Sequence, residues 1–432
     1  MTAPSFRETT STWARIGLLS FGGPAAQFAL MHKTIVDEKK WLSERDYLNA
    51  LSFCMLLPGP EAMQLATYSG WRLHGVFGGL TSGLLFVMPG ALVILALASI
   101  YLFYGEVPAL QSAFLGIQAA ILVIVLEALN KVARRSLTGS LSWVIAGASF
   151  LALFLLAIPF PIVVLTAGVL GLFLSRDDSV GDHELNTPDG GVSPLKTLST
   201  IAIWLAIWWL PIGALWLVFD ATLLSEIGVF FSKLATVSFG GAYAVLAYVA
   251  QDAVQTKAWL STQEMLDGLG LAETTPGPLI LVTEFVGFLA GARAEGGTSW
   301  SNGLLAALTT LWATFAPCFL WVFTGAPYIE WIASKRRLRN ALSCISAAVV
   351  GVILNLSIWF ALHVLFSEVS REQWGVLTLS VPNATSLNLP ALLLAILAAV
   401  MLLVLKRSVI FVIFFSALLG YLGLYIFPTQ GF

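Results

Sequence analysis

Ser20-Phe21-Gly22-Gly23-Pro24, then Trp41-Leu42-Ser43, then Pro58-Gly59-Pro60: this series is met again as Ser238-Phe239-Gly240-Gly241-Ala242, Trp259-Leu260-Ser261 and Pro276-Gly277-Pro278. The offset is 218 residues in all three cases, and 16 of 44 positions are identical without a gap between Gly17–Pro60 and Ala235–Pro278. The same offset pairs Arg15 with Lys233. Two copies of a Gly/Pro-broken segment in a hydrophobic chain point to a transporter built from repeats, with its site at the breaks.

The surrounding texture agrees. Of 432 residues, 58% are hydrophobic and 11% charged, against roughly 25% charged in an ordinary soluble domain. Apolar runs long enough to cross a bilayer recur at Gly83–Phe103, Ile117–Leu129, Ile201–Val218, Leu342–Leu365 and Val409–Ile426. The chain therefore reads as an all-α polytopic membrane protein whose standing partner is the lipid bilayer. A net charge of −2 gives no basis for nucleic-acid binding. Met1–Arg15 lacks the basic start and unbroken apolar core of a cleaved signal peptide.

Enzyme chemistry finds no purchase. Cys54, Cys318 and Cys344 lie singly in apolar runs, the four histidines are scattered, and neither a metal-like spacing nor a P-loop is present. No nucleophile–base cluster stands out. No cofactor and no metal are expected.

One polar stretch, Arg176–Lys196, interrupts the hydrophobic pattern and reads as the linker between halves. The organisation expected is a first repeat over residues 1–174, the linker with an extra crossing (Thr197–Phe219) over 175–225, and a second repeat over 226–432. Within the first repeat, Glu8–Lys40 and Ser43–Leu73 each read as helix, break, helix. Each limb of about fifteen residues spans about 22 Å, enough to reach the midplane of a ~30 Å core and turn back. If every broken segment is such a re-entrant hairpin, 18 Lys and Arg fall on the cytoplasmic side and 4 outside. Full crossings give 15 and 7, so the positive-inside rule favours hairpins. Either arrangement puts the N-terminus inside, the C-terminus outside, and the two copies in opposite orientation.

The breaks also suggest chemistry. Pro24, Pro60 and Pro278 stand where a helix restarts, a position that tolerates proline because its missing N–H has no helical acceptor there. Gly22, Gly23, Gly59, Gly240, Gly241 and Gly277 permit positive φ and close approach of a ligand to the backbone. With Phe21, Phe239, Pro58 and Pro276 they would frame helix N-termini near the midplane, which attract anions. Ser20, Ser238, Thr274 and Thr275 add hydroxyls, and Arg15 and Lys233 add cations in equivalent positions. Glu61, Glu273 and Glu284, with Gln64, are the candidates for coupling or gating, since acids inside a membrane are functional suspects. Glu127 and Lys131 read as an i,i+4 pair, and Lys335-Arg336-Arg337-Leu338-Arg339 as a topology anchor.

These residues resemble the chromate ion transporter superfamily. The likeness is carried by Phe21-Gly22-Gly23-Pro24, Trp41, Leu57-Pro58-Gly59-Pro60-Glu61-Ala62, Gln64-Leu65-Ala66 and Gly70-Trp71. In the second half it is carried by Phe239-Gly240-Gly241-Ala242-Tyr243 and Ala272-Glu273-Thr274-Thr275-Pro276-Gly277-Pro278-Leu279. The resemblance is to the long, two-domain form. It implies an inner-membrane protein that exports chromate on the electrochemical gradient and confers chromate resistance, with sulfate as a competitor of the same shape and charge. A homodimer is compatible with it. Another oxyanion as substrate, or an anion channel, remain the alternatives. Ala242 in place of Pro24 and Leu279 in place of Glu61 imply that the halves contribute unequally.

Overall fold

Each Gly/Pro break ends one helix and starts the next. In the computed structural model α1 (Phe6–Leu19) is capped by the Ser5 side chain on the Glu8 amide and stops at Ser20, whose φ and ψ are −78° and 62°. After Gly22 (φ 87°) the chain re-enters helix as α2 (Gly23–His32), which widens into a π-helical turn at Lys33–Glu38. Ser43 caps α3 (Glu44–Cys54) by accepting from the Asp46 amide. Beyond Pro58-Gly59-Pro60 runs α4 (Glu61–Tyr104), whose helical torsions fail at His74 and Gly75. The sequence ends its limb at Leu73, one residue before that kink.

The order then continues through α5 (Pro108–Ser136), α6 (Ser140–Phe154), α7 (Phe160–Phe173) and the extra α8 (Pro194–Leu217), and begins again. α9 (Thr222–Val237) stops at Ser238, with φ and ψ of −80° and 70°. α10 (Ala242–Val249) widens into a π-helical turn at Ala250–Thr256, and Ser261 caps α11 (Thr262–Thr274). A 3₁₀ turn, Leu279–Leu281, leads into α12 (Val282–Ala292), then α13 (Trp300–Gly325) and α14 (Arg336–Leu365). An antiparallel hairpin of β1 (Val369–Trp374) and β2 (Leu377–Pro382) precedes α15 (Leu389–Ala399) and α16 (Val409–Ile426). The structure describes residues 4–173, 194–239, 242–294, 296–329, 336–375 and 377–426. Most of the linker expected at Arg176–Lys196, together with Gly240 and Gly241, lies outside them.

The 218-residue offset persists in the backbone. Trp41 N–H donates to Ile35 O at 2.8 Å and Trp259 N–H to Ala253 O at 2.9 Å. These two π-helical turns are each followed by a non-glycine residue at positive φ, Lys40 at 52° and Ala258 at 49°, as is a third outside the aligned segments, Val400–Val404, by Lys406 at 50°. The repeat is thus one of main-chain geometry as well as of letters.

Two compact units form, and each draws on both repeats. The first comprises Met1–Val93, Val164–Ala242 and Pro276–Ile345; the second comprises Ile94–Val163, Tyr243–Thr275 and Ser346–Phe432. In the first, α12 lies directly on α13: a Cβ at Gly287 would strike the Thr310 side chain, and one at Gly291 would strike Ala306. Such small-residue contacts drive helix association where no hydrophobic force separates helix from lipid. In the second, Gly116 meets the Ser416 carbonyl and Gly420 the Ser112 carbonyl, while Ala120, Ile124, Ala398, Met401, Val412 and Ile413 form the core.

Among the described residues, five helices are long and apolar enough to cross a bilayer, those within Glu61–Tyr104, Pro108–Ser136, Pro194–Leu217, Trp300–Tyr328 and Arg337–Leu365. Phe77, Phe173 and Leu217 are more than 70% exposed, an apolar surface suited to acyl chains rather than water. This is an all-α multi-pass membrane protein. Its one hairpin is the only sheet among the described residues.

Candidate functional site

The two Pro-Gly-Pro turns belong to the first compact unit, and each is completed by the other repeat. Gly59 N–H donates to Ser238 O at 2.9 Å, and Gly277 N–H donates to Ser20 O at 2.8 Å. Since 59 and 277, and 20 and 238, are partners at the 218-residue offset, the exchange is reciprocal. The packing behind the turns is exchanged in the same way. A Cβ at Gly59 would come within 3.0 Å of Cys318 Sγ on α13, and one at Gly277 within 3.6 Å of Gly90 Cα on α4. Each backing residue directly follows a proline inside its helix, Pro317 or Pro89.

Glycine is required at both turns. Gly59 holds φ of 113° and Gly277 φ of 90°, a region in which a side chain costs about 1–2 kcal/mol. Both are buried, whereas Gly22 is exposed and Gly23 has nothing within 4 Å of a Cβ position. The Ser-Phe-Gly-Gly break of the first repeat therefore borders open space. Phe21 and Phe239 are half-buried beside these breaks.

Two buried amides hold the turn carbonyls. Gln27 Nε2 donates to Gly277 O at 2.7 Å, with a longer contact to Ser20 O at 3.4 Å, and Gln64 Nε2 donates to Pro58 O at 2.6 Å. The Oε1 atoms of both are buried with no hydrogen-bond partner. Gln64 was legible as a candidate; Gln27 was not. A glutamine three residues past Pro24 in an apolar stretch is the signal that could have found it.

The hydroxyls each donate to a carbonyl of their own helix. Ser20 Oγ donates to Ile16 O at 2.6 Å and Ser238 Oγ to Ala235 O at 3.0 Å; Thr274 and Thr275 likewise donate to Leu271 O and Ala272 O. With the Gly59 and Gly277 amides also engaged, the donors left at the Pro-Gly-Pro break of the first repeat are the early amides of α4. Gln64 N–H makes the first bond there, to Pro60 O, so Ala62 and Met63 N–H have no intrahelical acceptor.

The remaining candidates divide. Glu284 on α12 is 1% exposed, and its Oε2 has no hydrogen-bond partner. Glu61 opens α4 half-buried. Arg15 and Lys233 are exposed, Arg15 in a cleft between α1 and the α2 segment. Glu273, Thr274 and Thr275 belong to the second unit, where Tyr243 Oη donates to Glu273 Oε1 at 2.8 Å. On the same helix Asp267, 4% exposed, accepts from Tyr101 Oη at 2.7 Å and Gln118 Nε2 at 2.6 Å. Neither acid has a cationic partner among the described residues. Asp267 was missed because nothing in its local spelling, Leu266-Asp267-Gly268, separates a buried acid from a solvated one.

Comparison with known proteins identifies the family. The chromate transporter family matches residues 7–172 and 225–421, the two repeats without the intervening stretch. The chain is 29% identical to the chromate transport protein of Pseudomonas aeruginosa, over 99% of this chain and 94% of that one. It is 30% identical to the chromate transport protein of Cupriavidus metallidurans, over 82% of each. A probable chromate transport protein of Synechococcus elongatus is 28% identical, over 81% of this chain and 83% of that one. No solved structure matches. With both broken segments inside the matched ranges, the chain belongs to the chromate transporter family, whose matched relatives are named transport proteins, and it is a membrane transport protein rather than an enzyme.

Proposed function

We propose that the protein is a secondary transporter that exports chromate from the cytoplasm, with the substrate bound at the turns of the first compact unit. The observation that carries this is the reciprocal exchange of Gly59 with Ser238 and Gly277 with Ser20. It ties each Pro-Gly-Pro turn to the serine break of the other repeat, and a helix start such as that of α4 binds anions through backbone donors without formal charge. Arg15 and Lys233 supply positive charge on the approaches, and Glu61, Glu273 and Glu284 serve coupling or gating. The relatives' names as chromate transport proteins supply the substrate class.

The repeats of residues 1–174 and 226–432 are taken as inverted, each broken segment re-entering from its own face of a bacterial inner membrane. The charge distribution supports a cytoplasmic N-terminus and an external C-terminus. Export then runs downhill electrically. One charge moved through 100 mV is worth about 2.3 kcal/mol, so a dianion leaving an inside-negative cell gains about 4.6 kcal/mol, equivalent to roughly three decades of gradient.

Inside-out vesicles test the reading. Chromate uptake should saturate, follow the imposed potential and be competed by sulfate. Uptake rising linearly to the highest concentration would identify a channel instead. For orientation, a cysteine placed within residues 37–40 of a thiol-free background should react with impermeant reagent only from the cytoplasmic face. Labelling from outside would replace re-entry by full crossing.

A further inference from the structure

The first compact unit contains a second charged feature, apart from the turns. A cleft of about 610 Å³ runs between α1 and the α2 segment with its π-helical extension. Arg7, Arg15, Lys33 and Lys39 line it, with Glu8 and Glu38. Both carboxylates are already paired, Glu8 with Lys39 at 2.8 Å and Glu38 with Lys33 at 3.9 Å. Arg7 and Arg15 have no acidic partner among the described residues. Ser11, Thr12 and Thr34 add hydroxyls to the same walls.

We infer that this cleft is a capture site for a tetrahedral oxyanion group, held by the guanidinium groups of Arg7 and Arg15. Guanidinium presents a planar fork of donors that matches two oxygens of such a group at once. The ion pairs to Glu8 and Glu38 keep the lysines on the walls and leave the arginines as the unsatisfied charge.

The second repeat argues for a purpose. At the 218-residue offset Arg7 becomes Ser225, Ser11 becomes Val229, Thr12 becomes Phe230 and Lys33 becomes Gln251. Arg15, Lys39 and Glu8 keep charged counterparts in Lys233, Lys257 and Glu226, but neither guanidinium has a guanidinium counterpart. A cation cluster kept only for topology has no need of hydroxyls on the facing walls, and those of Ser11 and Thr12 are absent from the second copy, as are both guanidinium forks.

Two sources present the same chemistry: a free oxyanion on its way to the turns, and the phosphate of an anionic lipid whose chains lie along Phe6, Leu18 and Leu19, each about half exposed. The inference rests on the transport reading only for where a free oxyanion goes next, not for its capture.

The test uses the full chain in wild-type form, as Arg7→Gln/Arg15→Gln, as Arg7→Lys/Arg15→Lys, and as Arg134→Gln, which removes an exposed cation elsewhere. One arm measures the half-saturating chromate concentration in inside-out vesicles of purified protein in phosphatidylcholine. The other measures phosphatidylglycerol retained by purified protein, by mass spectrometry. For a free oxyanion, the double Gln variant raises half-saturating chromate about tenfold, as expected for loss of charged hydrogen bonds, the Lys variant restores part of it, and lipid retention is unchanged. For a lipid phosphate, the double Gln variant loses phosphatidylglycerol while half-saturation stays put. Both measurements unchanged, or Arg134→Gln matching the double variant, would overturn the proposal. If wild type moves no chromate yet retains phosphatidylglycerol through Arg7 and Arg15, the transport reading fails and the cleft stands.

Discussion

The two repeats share a backbone and have parted in chemistry. The first has Arg7, Lys33, Gln27 and Gln64 where the second has Ser225, Gln251, Val245 and Val282, while Arg15 keeps a cationic counterpart in Lys233. The second keeps buried acids, Asp267, Glu273 and Glu284, where the first has exposed Asn49, then Met55 and Ala66. Yet the π-helical turns, the serine caps, the positive-φ residues and the crossed turn bonds recur in register. Duplication has preserved what determines shape and released part of what determines charge.

The strongest test of the shared backbone is at the turn glycines. Gly59→Leu and Gly277→Leu should each lower chromate uptake by about a hundredfold or more while the protein still reaches the membrane. Positive φ acts there together with close neighbours, Gln64 Nε2 at 2.9 Å and Cys318 Sγ at 3.0 Å from a Gly59 Cβ and Leu281 Cδ1 at 3.2 Å from a Gly277 Cβ, and roughly 3 kcal/mol is a factor of a hundred. Gly22→Leu, exposed with Ala26 Cβ at 3.4 Å, should cost less than either. Unequal losses at 59 and 277 would break the equivalence of the two turns.

The divergent chemistry is tested next at the amides. Gln27→Leu leaves the Gly277 carbonyl without its side-chain donor and should reduce uptake by about tenfold, in line with 1–3 kcal/mol for an unsatisfied buried group. The counterpart change Val245→Leu should leave uptake within twofold. An equal loss at both positions would mean that packing, not the amide, supports the turn.

A smaller effect is expected in the second unit. In Asp267→Asn one oxygen that accepts from Tyr101 or Gln118 becomes an amide that cannot accept, so thermal stability in detergent should fall by about 1–3 kcal/mol. Asn49→Asp, at the exposed counterpart, should leave the melting temperature unchanged. The smallest effect is reserved for the ion pair of Glu8 with Lys39, both sides substantially exposed. Glu8→Gln should alter stability by less than about 1 kcal/mol, and a larger loss would show that the cleft wall depends on it.

Much of this architecture was legible because breaks are spelled locally. Gly and Pro mark where helices stop, Ser43 and Ser261 mark where they start, and the limb ending at Leu73 adjoins the kink at His74 and Gly75. What was not legible depends on partners distant in the chain. No spacing rule pairs Gly59 with Ser238, tells that Ser20 Oγ turns back to Ile16, or buries Asp267 against Tyr101. The π-helical turns carry no compositional mark. The β1–β2 hairpin escaped because β1, with Arg371, Glu372 and Gln373, has no apolar face, and the alternation in β2 (Leu377, Leu379, Val381) spans only six residues.

The crossed turn bonds join main-chain groups at both ends: amide nitrogens of Gly59 and Gly277, carbonyl oxygens of Ser238 and Ser20. A bond between main chains is indifferent to spelling. It survives any substitution at the acceptor that keeps the local torsion, and it constrains the donor position only by conformation. Drift can therefore erase resemblance between the copies everywhere except at residues that set torsion or cap a helix. Much of the identity that survives between these halves lies at such residues: two glycines, then a serine cap, then proline-glycine-proline. In a more diverged descendant, the same few letters at a constant offset would still mark the fold after ordinary alignment of the halves had failed.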